Sequence, residues 1–181
     1  MKVIYTAIPD LLVIEPQVFA DERGFFYESF NARRFAESTG VTASFVQDNV
    51  SRSSQNVLRG LHYQLGSSQG KLVQVMHGEV FDVAVDLRQS SPTFGRWAGA
   101  ALSATNRLQH WIPPGFAHGF LVISASADVL YKTTGYYAPE HERNIHWDDA
   151  SIGIEWPLQG PPVLSARDSR AGLLKNAELF V

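Results

Sequence analysis

The chain has 181 residues, 45% hydrophobic and 18% charged, with a net charge of −3, a balance that fits one core spanning 1–181 and excludes a disordered chain or a coiled coil. Basic residues are scattered singly, so there is no electrostatic footprint for a nucleic acid. The lack of cysteine excludes disulfides and thiolate chemistry and fits the cytoplasm, and no apolar run approaches the roughly 18 residues of a membrane helix.

The N-terminal stretch MKVIYTAIPDLLVIEP is broken by Pro9, Asp10 and Glu15, so no export signal is expected. Short runs rich in Val, Ile, Phe, Tyr and Thr, closed by Gly, Pro, Asn or Asp, predict strands near 2–7, 11–18 and 24–29. Asn31 can cap a helix through about Thr39, stopped by Gly40, with Phe35 and Ala36 inward. A strand follows over 57–64. Lys71 to Arg88 then reads as a hairpin, in which Leu72, Val73 and Val75 lead to a His77-Gly78 turn and a second strand through Leu87. In that second strand Val83, Val85 and Leu87 take one face, and Asp82, Ala84 and Asp86 the other. Further strands are expected near 96–103, 108–112, 118–124, 127–137 and 152–156, and Asp168 or Ser169 can cap a short turn through Lys175, an extended tail being the alternative. This is a mainly β chain, at the spacing of a β-sandwich or jelly roll.

Four segments carry residues able to do chemistry. In VLRGLHYQ strict alternation puts Arg59 and His62 on opposite faces, and a twist or bulge at Gly60 would bring both to one cavity. Alone, the segment reads first as a surface arginine and a hydrogen-bonded histidine. In WIPPGFAHGF the Pro-Pro-Gly turn re-aims the chain before His118. Two histidines on a β-barrel invite a metal reading, but the partner position of His62 is Gln64, and Lys71 stands where a ligating glutamate would be needed. A cation repels a metal, so none is expected. Tyr131, Tyr136 and Tyr137 suit packing, proton donation or stacking on a base. Ser165-Ala166-Arg167-Asp168 can be a turn cap, or can supply a carboxylate that orients a histidine.

Taken in order, these segments resemble the dTDP-4-dehydrorhamnose 3,5-epimerase family. The resemblance runs through DERGFFYE from Asp21, QDNVS from Gln47, LRGLHYQ from Leu58, QGKLV from Gln69, DVAVDLR from Asp82 and SPTFG from Ser91. It continues through IPPGFAHGF from Ile112, YKT from Tyr131, Tyr136-Tyr137, IHWDD from Ile145 and LSARD from Leu164, and so covers nearly the whole chain. It implies a cupin-type jelly roll with a core over about 10–160, and a C-terminal segment 161–181 that brings Asp168 to the site. It also implies a homodimer acting on a dTDP-sugar without metal or organic cofactor. By position, His62 matches the general base, Asp168 its partner, Tyr131 the general acid, and Lys71 the cation beside the C4 keto oxygen. Tyr137 matches a ring stacked on thymine, and Arg23, Glu28, Gln47, Asn49, Arg59, His118, Glu142 and Arg167 match nucleotide- or sugar-contacting positions. Two departures stand out. Arg167 replaces a frequent lysine and keeps the charge, while Gln55-Asn56 replaces a glycine before the VLRG strand, where asparagine tolerates a left-handed turn.

The chemistry agrees with these roles. Hydrogens on C3 and C5 flank the C4 ketone, so removing either leaves charge on oxygen that a cation can stabilise. Inversion needs a base on one face and an acid on the other. The expected activity is inversion of C3 and C5 of dTDP-4-dehydro-6-deoxy-D-glucose, on the way to dTDP-L-rhamnose. The alternatives are an epimerase of C3 alone or of a modified sugar, and a non-catalytic nucleotide-sugar-binding cupin, which would have to lack His62, Tyr131 or Asp168.

Overall fold

The computed structural model describes all 181 residues, as thirteen strands and one α-helix. The strands are β1 (Lys2–Tyr5), β2 (Leu12–Glu15), β3 (Val18–Asp21), β4 (Gly24–Tyr27), β5 (Gln47–Ser54), β6 (Leu58–Gln64), β7 (Lys71–His77), β8 (Glu79–Asp86), β9 (Trp97–Ser103), β10 (Gln109–Ile112), β11 (Phe116–Val122), β12 (Ser126–Thr133) and β13 (Glu142–Asn144). Helix α1 spans Ala32–Thr39. Two antiparallel sheets face each other in an open sandwich, ordered β1-β2-β10-β7-β12-β5 and β13-β6-β11-β8-β9, while β3 and β4 form a separate two-stranded ribbon.

The mainly β architecture is as expected, but the segment from Lys71 to Arg88 is not a hairpin. β7 pairs with β10 and β12 in one sheet, and β8 pairs with β9 and β11 in the other. Gly78, at φ 77°, turns the chain from one sheet across to the other. A tight turn between two apolar strands serves a hairpin and a corner of a sandwich equally well, and sheet partners decide between them. Residues 11–18 divide into β2 and β3, the run expected over 127–137 ends at Thr133, and 152–156 is irregular. β5 and β13 were not anticipated, because their residues, QDNVSRSS and ERN, are polar. Gln47 and Asn49 of β5 face a cavity rather than an apolar core, and Asp48 and Arg52 pair on the exposed side with Lys132 and Asp128. Helix α1 is as expected: the Arg34 N–H donates to the Asn31 side chain (3.1 Å), Gly40 closes the helix, and Phe35 is buried.

Apolar side chains fill three layers. Between the sheets lie Val73, Val75, Val80, Ala84, Phe116, Phe120 and Val129 with their neighbours. Outside the larger sheet, Leu12, Ile14, Leu72 and Trp111 pack beneath Phe35 of α1. Outside the smaller sheet, Leu61, Val83, Val85, Leu87 and Leu121 pack against Ile145, Ile152, Trp156 and Leu174 from the chain after β13. β8 and β11 are therefore covered on both faces, which is why they read as nearly continuous apolar runs. The two predicted faces of β8 hold, yet both are buried, and Asp82 and Asp86 are fully enclosed. The chain enters β6 through Asn56, in the left-handed conformation (φ 64°), whose side-chain amide donates to the Pro161 carbonyl.

The site depends on an irregularity between β6 and β11. His118 lies opposite His62, but Phe120 lies opposite Arg59, so β6 carries one extra residue over that span. The bulge inverts the phase of the strand: Leu58 joins the outer layer, and Arg59 turns inward with His62. The two strands approach closely there. A Cβ on Gly60, at φ 120°, would lie 2.6 Å from the Cα of Gly119, and a Cβ on Gly119 would lie 2.7 Å from the Arg59 carbonyl oxygen. Gly119→Ala should destabilise the fold by about 1–3 kcal/mol through overpacking. We expect a lower urea midpoint with an unchanged m-value; an unchanged midpoint would show that the close approach is dispensable.

Candidate active site

A cavity of about 400 Å³ opens between the sheets, lined among others by Arg59, His62 and Gln64 on β6, His118 on β11 and Glu142 on β13. Facing them are Lys71 on β7, Tyr131 on β12, Gln47 and Asn49 on β5, and Tyr137 from the loop after β12. Register fixes which side chains meet. His62 and His118 are directly opposed, so they share the inner face of the smaller sheet. Tyr131 lies opposite Asn49, and Thr133 opposite Lys71, on the inner face of the larger sheet. His62 and Tyr131 thus stand on facing walls.

His62 is oriented from outside its own sheet. Its Nε2 lies 2.6 Å from Asp168 Oδ1, and the side chain of Asp168 is only 4% exposed. Ser165 Oγ donates to the other Asp168 oxygen (2.8 Å) and accepts the Asp168 backbone N–H (3.0 Å). Burial pushes the Asp168 carboxyl upward, but the hydrogen bond and charge of His62, together with the Ser165 hydroxyl, outweigh it and hold the group below its ordinary range. A second cleft, of about 270 Å³, reaches this pair from the other side and is lined by Arg59, His62, Ser165, Arg167 and Asp168.

Lys71 is the cation on the larger sheet's wall of the cavity. Its Nζ has one protein partner, the His62 carbonyl oxygen at 3.5 Å. Burial lowers its pKa to about 8, against the opposing pull of the negative charges on Asp82 and Glu142. His118 Nε2 lies 2.7 Å from Asp82 Oδ2, and burial lowers the His118 pKa despite that carboxylate. Burial pushes Asp82 upward, yet the charge of His118 and hydrogen bonds from His110 and His118 bring it down to about 2. With His62 Nε2 engaged by Asp168 and His118 Nε2 by Asp82, neither nitrogen is free as a ligand, and no group of three metal-ligating side chains converges in the chain.

At the mouth, Tyr137 Oη donates to Glu142 Oε2 (2.6 Å), and Arg167 pairs with the same oxygen (2.5 Å). Burial raises the Glu142 carboxyl, but these donors overcome it and leave its pKa lowered. Gln47 accepts the Tyr137 backbone N–H, and Gln64 accepts that of Ala138, which together fix the loop carrying Tyr137. The Tyr137 ring remains 53% exposed. Arg59 donates to Ser53 across the sheets (3.0 Å), and Gln47 donates to Asn49 (2.8 Å).

Two of the expected residues lie elsewhere. Arg23, on the turn joining β3 and β4, pairs with Asp21, and Glu28 pairs with Arg34 of α1; neither lines the cavity. Sequence reasoning in turn missed Asp82, Ser165 and Ser53 as partners of the site residues. An isolated acid within the apolar run VFDVAV was the available signal for Asp82, since a charge there must be paired. Ser165 and Ser53 carried none.

The chain matches the family model described as dTDP-4-dehydrorhamnose 3,5-epimerase over residues 5–176. It is 59% identical over 180 residues to dTDP-4-dehydrorhamnose 3,5-epimerase of Salmonella typhimurium, covering 99% of this chain and 98% of the relative. It is 58% identical over 180 residues to the enzyme of that name from Pseudomonas aeruginosa, covering 99% of each. Its fold superposes with a TM-score of 0.96 on dTDP-6-deoxy-D-glucose-3,5-epimerase from Legionella pneumophila, solved in complex with dTDP-4-keto-L-rhamnose, at 56% identity over 98% of this chain and 94% of that one. Sequence, fold and cavity thus agree, and the chain belongs to the dTDP-4-dehydrorhamnose 3,5-epimerase family.

Proposed function

We propose that this chain inverts C3 and C5 of dTDP-4-dehydro-6-deoxy-D-glucose to give dTDP-4-dehydro-L-rhamnose, by proton removal beside the C4 ketone and return on the opposite face. The observation that carries the reading is the opposition of His62, backed by Asp168, to Tyr131 across a cavity that also holds Lys71. His62 takes the proton. Asp168 holds its Nε2 as the N–H, so the other ring nitrogen carries the lone pair, and stabilises the imidazolium that forms. The electron pair moves onto the C4 oxygen, where Lys71 stabilises the enolate. Tyr131, on the other wall, returns a proton to the inverted face. Four side chains meet these demands without a cofactor.

The remaining residues bind. Arg59 and Arg167 border the clefts on either side of His62 and suit a diphosphate. Tyr137, exposed at the mouth and fixed through Glu142 and Gln47, suits the thymine ring. Arg23 and Glu28 have no part in this chain's own cavity, and the β3–β4 ribbon that carries Arg23 exposes Phe19, Phe25 and Phe26 at 53%, 57% and 67%. These facts support a homodimer in which the ribbon meets the second copy. Sedimentation should give twice the 20.1 kDa chain mass, and a monomer under turnover conditions would overturn this element. The domain reading remains a single unit over 1–181, with 161–181 serving the site through Asp168. No helix is long and apolar enough to cross a membrane, and the cysteine-free composition supports a cytoplasmic setting.

Proton NMR of the substrate in deuterated water tests the division of labour and separates inversion of C3 alone from inversion of both centres. His62→Ala should lose both deuterium uptake and product. Tyr131→Phe should retain uptake while inversion falls by about 10²-fold or more, and Asp168→Asn should slow uptake without abolishing it. Uptake at the wild-type rate in His62→Ala would sink the assignment of the base.

The alkaline limb tests Lys71. A lysine with a pKa of about 8 is cationic below that pH and neutral above it. kcat/KM, which reports the free enzyme, should therefore fall as pH rises through about 8. Lys71→Arg keeps its charge and should move that limb upward; a limb left in place would remove Lys71 as its origin.

A further inference from the structure

Behind the cavity wall, Asp82 is held by two histidines. His118 Nε2 lies 2.7 Å from Oδ2, and His110 Nδ1 lies 2.8 Å from Oδ1. His110 comes from β10, in the opposite sheet, where its neighbours Gln109 and Trp111 point outward and it points in. His110 and Asp82 are fully buried, whereas His118 is 7% exposed and lines the cavity. A carboxylate only accepts hydrogen bonds, so each histidine must turn an N–H toward it. Both tautomers follow: His118 carries its proton on Nε2, and His110 on Nδ1.

The two outer nitrogens then differ. His110 Nε2 is buried without a partner, so the hydrogen-bonded chain ends there and has no exit to solvent. His118 Nδ1 also has no protein partner, but it is not sealed off, and the cavity is where the ring is open. The titratable and charged groups facing His118 are Asp82 on β8, His110 on β10, Lys71 on β7 and His62 beside it on β6. Glu142 on β13 faces Lys71 and His62 instead.

We propose that His110 is a positioning residue: by occupying one oxygen of Asp82 it keeps His118 neutral, with a bare Nδ1 directed at the cavity to accept a hydrogen bond from a substrate hydroxyl. The use of that acceptor rests on the sugar-nucleotide reading above; the protonation state does not. A carboxylate with two strong donors has its charge spread over both and attracts the proton of either one less. Without His110, one Asp82 oxygen would be buried without a donor, and the full charge would bear on His118 and Lys71. His118 would then take up a proton at higher pH than in the wild type, and in that form it would place a second cation beside Lys71 and turn the acceptor into a donor. Burial already lowers the His118 pKa, in the same direction.

The test reads His118 directly, by long-range nitrogen–proton NMR of the free protein labelled with ¹⁵N-histidine, across pH. In the wild type, His118 should be neutral at pH 7 with its proton on Nε2. An imidazolium at pH 7, or a proton on Nδ1, overturns the proposal without any variant. His110→Asn keeps an N–H donor near the position of Nδ1, and His110→Leu removes it. In His110→Leu the His118 titration should rise by about one pH unit, and the acid limb of kcat/KM should rise with it. In His110→Asn both should return to the wild-type position. An unchanged His118 titration in His110→Leu would reduce His110 to packing. If the Leu variant does not fold, the wild-type tautomer and the Asn titration still decide. Loss of turnover on the proposed substrate with the His118 titration as expected would instead count against the functional reading.

Discussion

Charges removed from water must be paired, and this requirement organises the interior of the sandwich. A purely apolar core would need nothing but volume. Here His62, Lys71, His118 and Glu142 line a space between two sheets, and three of the four are held by a side chain from a different element. His62 is held by Asp168 from the C-terminal segment, His118 by Asp82 from β8, and Glu142 by Tyr137 and Arg167. Lys71 has no direct carboxylate partner, only the His62 carbonyl oxygen at 3.5 Å. Its charge is sustained by the field of anions committed to other donors, which suits a cation that must meet charge developing on a substrate.

The pairing explains why the C-terminal segment matters more than its irregular structure suggests. Its Leu174 joins Ile152 and Trp156 in covering the outer face of the smaller sheet, and Asp149 accepts the Leu174 backbone N–H (2.6 Å). Tyr63, on the outward face of β6, donates to the Glu178 carbonyl oxygen (2.7 Å). The segment is thereby bound to the strand that carries His62, and the same docking brings Ser165 and Asp168 against the histidine. Packing of the outer layer and orientation of His62 are one structural event.

Much of this was legible in the chain. Alternating apolar runs announced the strands, Asn31 and Gly40 bounded the helix, and the Gly60 bulge was foreseeable because alternation alone could not bring Arg59 and His62 together. The polar strands β5 and β13 were not, since a strand that faces a polar cavity lacks the apolar alternation by which strands are recognised. The false hairpin at His77-Gly78 has a related cause: a turn signal gives the geometry of four residues, whereas sheet membership depends on partners more than thirty positions away, such as Trp111 on Leu72.

By itself, the sequence determined the mainly β class, the helix, and the identity of the chemically able residues, because these follow from side-chain period, capping and residue type along a local stretch of chain. No local pattern placed Tyr131 across from His62 on the other sheet, set Asp168 rather than Asp82 against His62, or left Arg23 and Glu28 away from the cavity of their own chain; the tertiary structure shows all three. Those facts rest on contacts between residues far apart in sequence, such as the 106 positions separating His62 from Asp168, and no local pattern encodes which of several carboxylates will complete a buried histidine.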